Sequence, residues 1–418
     1  MADAELETLL ARWRDAVGPE QARAEPDLRD DALGLSASGM AAEEAFLIAV
    51  TRLAPVQPAP VRLPTEGLTR MVAVALAAAA VVLAPRLFLP SEDYFEFLVR
   101  NVPFLVLPVL VFWLLAARGA LRRVGPWLLA GFAALAALVN FFPFEAWSDI
   151  EFIVILHAPV VAWVLVAVAH MAGEWRSHER RMDVVRFTGE AFVYVVLMAL
   201  GGGVLVGIAI GLFGALGIDV AEVVGTLVPG AAAGALIVAA WLVDRPEQVV
   251  ERIAPLLSAI FTPLFGIVLG IAAVAGAVSG FGIDVDREVL ILFDVLLVLV
   301  TGLLLYRVSA RDASDPKGVL DLTHLATIGF ALLLDVVGLA AMVGRIAEFG
   351  ASPNKVVALG LNLVLLVVLG RSGWLLLGFL RDGRPFSHLD RWQTTTLPIY
   401  AAWALAVVVL VPLVFGME

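Results

Sequence analysis

The apolar residues of this chain form long runs separated by short polar segments, from Met71 almost to the C-terminus. Each run is close to the ~20 residues that an α-helix needs to cross the hydrocarbon core of a bilayer. The pattern therefore predicts eleven membrane-spanning helices. They lie at residues 71–89, 98–117, 125–144, 152–173, 190–215, 222–243, 253–279, 288–306, 322–344, 354–380 and 396–416.

The composition agrees with this pattern. Hydrophobic residues make up 61% of the 418 residues and charged residues 16%, whereas a soluble domain is about 45–50% apolar and about 25% charged. Soluble globular domains are excluded for most of the chain, because too little charge is available to cover so much apolar surface. We predict an all-α, polytopic membrane helix bundle that has the lipid bilayer as its main partner.

The first 54 residues differ from the rest, because they are acidic and only locally apolar. Leu6, Leu10 and Trp13 recur at helical spacing and predict an amphipathic helix, and two further short helices follow. Four prolines then mark a stiff linker. We predict a cytoplasmic helical domain at 1–54, a Pro-rich linker at 55–70 and a transmembrane domain at 71–418. Since three short helices bury little surface, we expect the prefix to dock on a cytosolic protein partner or on the membrane domain.

The basic residues of the loops predict an orientation. Eighteen Arg and Lys residues flank the loops on one side of the eleven-helix arrangement and five flank the loops on the other. Cytoplasmic loops are the ones enriched in Arg and Lys, so we expect a cytoplasmic N-terminus and an outside C-terminus. Only two lysines occur, together with an excess of Ala, Val, Leu and Gly, which is typical of a GC-rich bacterial genome. The expected location is the bacterial cytoplasmic (inner) membrane.

Several kinds of chemistry are disfavoured by the residues present. The chain contains no cysteine, which excludes disulfides and thiolate chemistry. A net charge of −11 argues against a nucleic-acid partner. The five histidines show no metal-ligand spacing, and the common catalytic and nucleotide-binding motifs do not occur. We therefore predict that the protein is not an enzyme and has no cofactor and no metal site.

Three ionisable residues lie deep inside three consecutive predicted spans, where each costs on the order of 2.5–3.5 kcal/mol at a helix centre. At a rise of about 1.5 Å per residue, Asp335 and Asp294 each lie about 20 Å from the inner membrane face. Arg371 lies about 15 Å from it, and Asn362 is about 13 Å further out on the same helix. We predict that the first three side chains meet in one layer, which Asn362 extends outward.

Two interpretations of this layer stay open. An Asp–Arg–Asp network would neutralise its own charge and fix the register of three helices. Alternatively, two carboxylates beside one arginine would leave a negative charge that binds a proton or cation during transport. The candidate intramembrane coupling site comprises Asp294, Asp335, Arg371 and Asn362.

The fifth predicted span is rich in glycine. Gly201, Gly202 and Gly203 are consecutive, and small residues then recur every fourth position. Such spacing lets membrane helices pack closely, whereas successive glycines can equally form a hinge. Glu190 would be the gate residue of that hinge, or it would lie in the first helical turn and favour the helix dipole. The four-residue spacing recurs at Gly203, Gly207 and Gly211, at Gly230 and Gly234, and at Gly266 and Gly270.

The outer end of the ninth predicted span carries two opposite charges. Arg345 and Glu348 are three residues apart and share one side of the helix, so we predict an outer-face ion pair between them. Gly350 then ends the helix, and Ser352 caps the next one.

Two parts of the chain resemble known families. The run GMAAEEAFLIAVTRLA at 39–54 resembles the permease prefix domain, a helical module also described as a HAAS-like domain. The membrane region contains GEAFVYVVLMALGGG, DREVLILFDVLLVLVTGLLLY, RIAEFGASPNKVVALGLNLVLL and RWQTTTLPIYAAWA. These segments resemble the bacterial integral-membrane family catalogued as domain of unknown function 4153 (DUF4153). The resemblance implies no established activity, but its association with permease prefixes points to transport or membrane regulation.

These observations favour a permease-like protein that transports an unknown small solute or ion under control of its cytoplasmic prefix. The alternative is a non-transporting membrane sensor or scaffold that signals through the prefix. A water-accessible cavity reaching Asp335 would favour the transporter. A homo-oligomer is compatible with both interpretations.

Overall fold

The computed structural model consists of helices joined by short turns and loops in the residues that it describes, and no strand occurs among them. It describes residues 2–16, 25–38, 40–52, 67–145, 147–215, 219–244, 261–274, 287–311 and 317–416. The chain divides into two compact units, Met1–Thr69 and Arg70–Glu418. The predicted linker at 55–70 lies outside the described residues, apart from its last four positions.

In the described residues the first unit contains three helices, which are α1 (Ala2–Ala16), α2 (Glu25–Ala37) and α3 (Ala42–Arg52). Leu6 and Leu10 from α1 are fully buried against the other two helices. The amphipathic spacing seen in the sequence therefore produces a core, because one stripe of each helix faces the others. The remaining buried members of this core are Leu28, Ala32, Ala42 and Ala49.

The second unit is a bundle of eleven helices in the part of the chain that the structure describes. They are α4 (Leu68–Leu83), α5 (Ser91–Ala117), α6 (Leu121–Phe141), α7 (Asp149–His170), α8 (His178–Ala215), α9 (Ala221–Val243), α10 (Phe261–Val274), α11 (Arg287–Ala310), α12 (Val319–Phe349), α13 (Pro353–Asp382) and α14 (Ser387–Phe415). A single 3₁₀ turn, Ala84–Leu87, extends α4.

Among the described residues, nine helices are long and apolar enough to cross a membrane. This confirms the prediction of an all-α, polytopic membrane helix bundle. The other two predicted spans, 253–279 and 288–306, correspond to α10 and α11. The predicted residues on both sides of α10 lie outside the described residues.

The centre of the bundle is an apolar cluster shared by α10 to α14. Leu297 of α11, Leu334 of α12 and Leu365 of α13 are almost completely buried in it. Close packing of α11, α12 and α13 brings together the three helices that carry the intramembrane polar residues. The bundle core thus positions the candidate site.

Candidate functional site

Two of the predicted polar residues meet directly between α11 and α13. The Asn362 amide donates a hydrogen bond from Nδ2 to Oδ1 of Asp294 over 2.8 Å. Asp294 lies seven residues after the start of α11, and Asn362 lies nine residues after the start of α13. The hydrogen bond therefore links α11 and α13 within their apolar segments, away from the helix ends.

The third residue of the cluster, Asp335, comes from the middle of α12. Its side chain is buried, with 1% of the residue exposed, and neither carboxyl oxygen has a hydrogen-bond partner among the described residues. It lies within electrostatic range of Asp294. A buried ionised carboxylate without a donor is costly, so this group requires a proton, a cation or a change in its surroundings to become stable.

The cluster is bounded by the apolar core of the bundle. Leu297 and Leu365 each follow a polar residue by three positions, which places them on the same helix faces as Asp294 and Asn362. Leu334 precedes Asp335 directly. The described neighbours are leucines, and the two carboxyl groups and one amide form a small polar site that is negatively charged when a carboxyl group is ionised.

Arg371 does not belong to this cluster, which corrects the predicted three-residue layer. Its side chain is exposed, and it makes no ion pair with Asp294 or Asp335 in the described residues. The reason is helical geometry: nine residues separate Asn362 from Arg371, which is two and a half turns. Since Asn362 faces the core, Arg371 faces outward, where its guanidinium lies 5.9 Å from the Trp392 ring centre.

The structure places Glu190 in the interior of α8. The helix begins at His178, twelve residues earlier, so the interpretation of Glu190 as a first-turn residue is wrong. Glu190 is 5% exposed and lies within electrostatic range of the Tyr306 hydroxyl on α11. The apolar residues predicted where the membrane span begins, whereas α8 begins before the span, at His178.

The glycine repeat in the second half of α8 is not packed against another helix in the described residues. A methyl group added at Gly201, Gly202 or Gly203 would meet no atom within 4 Å there. The same holds for Gly207 and Gly211. The close-packing interpretation of this repeat therefore finds no support among the described residues, and the hinge interpretation stays a prediction.

The other glycine repeats do pack closely. A Cβ on Gly230 would lie 2.9 Å from Leu83 of α4, and one on Gly266 would lie 2.5 Å from Thr327 of α12. Here the missing side chain lets two helices approach each other, as small residues at this spacing allow in membranes. Glycine spacing alone did not distinguish these repeats from that of α8.

The predicted outer-face pair of Arg345 and Glu348 is not formed among the described residues. Glu348 is exposed in the last turn of α12 and has no ion-pair partner there. Lys355 of α13 instead donates to the carbonyl oxygens of Arg345 and Gly350, at 3.5 and 2.9 Å. A cation is favourable at the C-terminal end of a helix dipole, whereas a carboxylate is not.

A buried ion cluster at the start of α12 was not predicted from the sequence. Asp321 accepts hydrogen bonds from Arg307 and Arg311 of the preceding segment, and its other oxygen accepts from the Gly318 backbone N–H at 3.0 Å. Arg307 and Arg311 are four residues apart, and Asp321 is the third residue of α12. This pattern in the sequence could have predicted the cluster. The cluster joins α11 to α12 at one end of the bundle.

A second missed contact joins α8 to α14. The His178 ring lies between Asp390, whose Oδ2 is 2.9 Å from Nε2, and Thr394, which bonds to Nδ1. The order resembles a hydrolytic triad, but Thr394 is 1% exposed and its hydroxyl also donates to the Arg391 carbonyl. We interpret the contact as structural, because a buried nucleophile cannot reach a substrate.

No group of three or more His, Asp or Glu side chains converges to hold a metal ion within the described segments. The comparisons with protein-family models, curated proteins and solved structures give no match. The role of the site is therefore inferred from its geometry.

Proposed function

We propose that the protein is a permease-like transporter of a small solute or ion, and that Asp294 and Asp335 form its coupling site for a proton or cation. The observation that carries this proposal is Asp335, a carboxyl buried in the middle of a long membrane helix, with no hydrogen-bond partner in the part of the chain that the structure describes. Ionisable residues retained at such a cost within a membrane are commonly part of ion or proton pathways.

The two carboxyl groups differ in a way that suits this role. Asp294 is held by the amide of Asn362, whereas no described residue donates to Asp335. A proton or cation that binds between them would relieve both their repulsion and the missing hydrogen bond of Asp335. Asn362 and Asp294 would thus provide a fixed part of the site, and Asp335 the part whose occupancy changes.

The glycine segment of α8 supports the proposal that this helix bends during transport. Gly201, Gly202 and Gly203 weaken the helix locally, and no neighbouring side chain holds them in the described residues. The same helix carries Glu190, which is buried near α11, the helix of Asp294. Bending at the glycines would change the packing of α8 on α11 and so the access to the carboxyl pair.

The prefix is proposed to regulate this transport. Its helices form a core of their own, and its sequence resembles permease prefix domains. We also propose that the membrane unit belongs to the DUF4153 family, on the segments that resemble it.

The absence of cysteine makes the proposal directly testable. Gly338 lies three residues after Asp335 on the same face of α12, and a Cβ there would meet no atom within 4 Å among the described residues. A Gly338→Cys variant should react with a membrane-impermeant thiol reagent, because a transporter must admit water to its coupling site. Divided by the rate of an exposed Ala351→Cys control, which corrects for ionisation of the thiol itself, the labelling rate should differ between acidic and alkaline medium. Asp335→Asn should remove that remaining difference without unfolding the protein.

Two further cysteine variants serve as controls for the accessibility of Gly338→Cys. Ala351→Cys, in an exposed loop, should label in all variants, whereas Leu369→Cys, in the packed core, should not label. If Gly338→Cys reacts from neither side of the membrane, the bundle is sealed and the protein is a non-transporting sensor or scaffold. If Asp335→Asn lowers only thermal stability, the carboxyl pair is structural.

A further inference from the structure

A cavity of about 570 Å³ lies at the turn between α13 and α14, away from the carboxyl pair. Its lining contains three arginines, one histidine and two tryptophans, but no carboxylate. The lining residues are Arg371, Trp374, Leu375, Arg384, His388, Arg391, Trp392 and Thr395. The cavity is therefore basic and aromatic, in a chain whose net charge is −11.

Helical spacing explains why these residues meet. Arg371, Trp374 and Leu375 follow the i, i+3, i+4 pattern on α13, so they share one face of that helix. The residues from α14 are spaced by three, four and seven positions from His388, which also places them on one face. The two faces meet because a short turn reverses the chain, with Gly383 in the left-handed region at φ 66°.

The walls of the cavity are held in place. The indole of Trp392 donates to the Val368 carbonyl over 3.3 Å, and Arg384 crosses α13 so closely that a Cβ on Gly378 would lie 2.9 Å from its Cδ. Arg384 also lies 6.0 Å from the Trp374 ring centre. The aromatic rings and the arginines therefore have defined positions.

Most of the positive charge of the cavity has no ion-pair partner in the part of the chain that the structure describes. Arg371 and Arg391 have no ion-pair partner in the described residues, and only Arg384 has one, with Asp382 at 3.7 Å. That pair is exposed and adds little. Arg371 is exposed on a helix long and apolar enough to cross a membrane, so it faces lipid or the interface and requires an anion there.

We propose that this cavity binds a phosphate group, the anion that a phospholipid headgroup supplies at the membrane surface and that free phosphate supplies in water. Arginine forks match phosphate oxygens with charge-assisted hydrogen bonds. Tryptophans are typical of the membrane–water interface, and Trp374 is 58% exposed beside the arginines. Basic pockets between membrane helices are recognised sites for anionic lipid headgroups.

The test uses the full-length protein in detergent and measures its melting temperature with added phosphatidylglycerol, phosphatidylcholine or inorganic phosphate. Phosphatidylglycerol should raise the melting temperature more than phosphatidylcholine, whose choline cancels the phosphate charge. Arg371→Gln and Arg391→Gln should each weaken the apparent affinity for phosphatidylglycerol about tenfold, as expected for the loss of a charged hydrogen bond. Arg371→Lys should weaken it less, since a charge remains.

Arg381→Gln is the matched control, because Arg381 is an exposed arginine of the same helix that does not line the cavity. Its response to phosphatidylglycerol should equal that of the wild type. If inorganic phosphate alone gives the same Arg371-dependent shift, the site takes phosphate from solution, which still supports the proposal. An equal response to phosphatidylglycerol in the wild type and in all the arginine variants would overturn it. Lipid retention in native mass spectrometry gives a second reading for any variant that melts early.

Discussion

Asn362 and Arg371 lie on opposite faces of α13: Asn362 is 2% exposed and donates to Asp294, whereas Arg371 is exposed and lies over Trp392. One helix therefore carries two polar sites of opposite character. The inner face supplies an amide to a carboxyl pair, and the outer face supplies a cation to a basic cavity. Their separation means that each can be altered by mutation without changing the other.

Loss of the Asn362 amide should destabilise the bundle. In Asn362→Leu the branched shape and the number of side-chain heavy atoms are kept but Asp294 loses its donor, so the free energy of unfolding should fall by about 1–2 kcal/mol. Unfolding of the purified protein in detergent measures this difference. Leu363→Ala, at the neighbouring exposed position, should change it by less than about 0.5 kcal/mol. Equal effects at the two positions would mean that the hydrogen bond contributes nothing.

The ion cluster at the start of α12 should contribute much more than an exposed ion pair. Asp321→Asn leaves Arg307 and Arg311 without their carboxylate and should cost about 3–5 kcal/mol, since Asp321 is buried. Asp382→Asn also removes an arginine partner, but that pair is exposed and should cost at most about 1 kcal/mol. Thermal melting of the two variants compares them. A similar loss in both would contradict the buried cluster.

The glycines should divide into two groups. Gly360→Ala would place a Cβ 2.0 Å from the Trp403 ring, so the free energy of unfolding should fall by about 1–3 kcal/mol. Gly202→Ala meets open space and should stabilise its helix by about 0.5–1 kcal/mol. If the segment is a hinge, Gly202→Ala should also slow thiol labelling of Gly338→Cys. Unchanged labelling in a stabilised variant would argue against the hinge.

The predicted orientation can be checked with the same cysteine-free chain. Ala351→Cys should react with an impermeant thiol reagent in intact cells, whereas Asp382→Cys should react only after the membrane is opened. This follows from the excess of arginine on the side that holds the α13–α14 turn. A fluorescent reporter that matures only in the cytosol should stay dark at the C-terminus. Bright cells, or the reverse labelling pattern, would show that the eleven-helix topology is wrong.

The sequence by itself determined the class of the protein and the positions of its helices. Lipid requires about 20 apolar residues for each crossing, and this requirement is local, so the apolar runs predict α9 and α13 close to their observed bounds. The same runs could not show that α8 begins at His178, twelve residues before Glu190. The hydropathy of a segment indicates which residues lie within the bilayer, whereas backbone hydrogen bonds determine the residue at which the helix begins.

Only the tertiary structure decided which polar groups meet. Depth along a helix placed Asp294, Asp335 and Arg371 together, but rotation about the helix axis put Arg371 on the outer face. Likewise, glycine spacing is the same at Gly203 and Gly266, yet only Gly266 has a neighbouring helix against it. The physical reason is that a contact requires two surfaces to face each other, and the second surface comes from a helix distant in sequence.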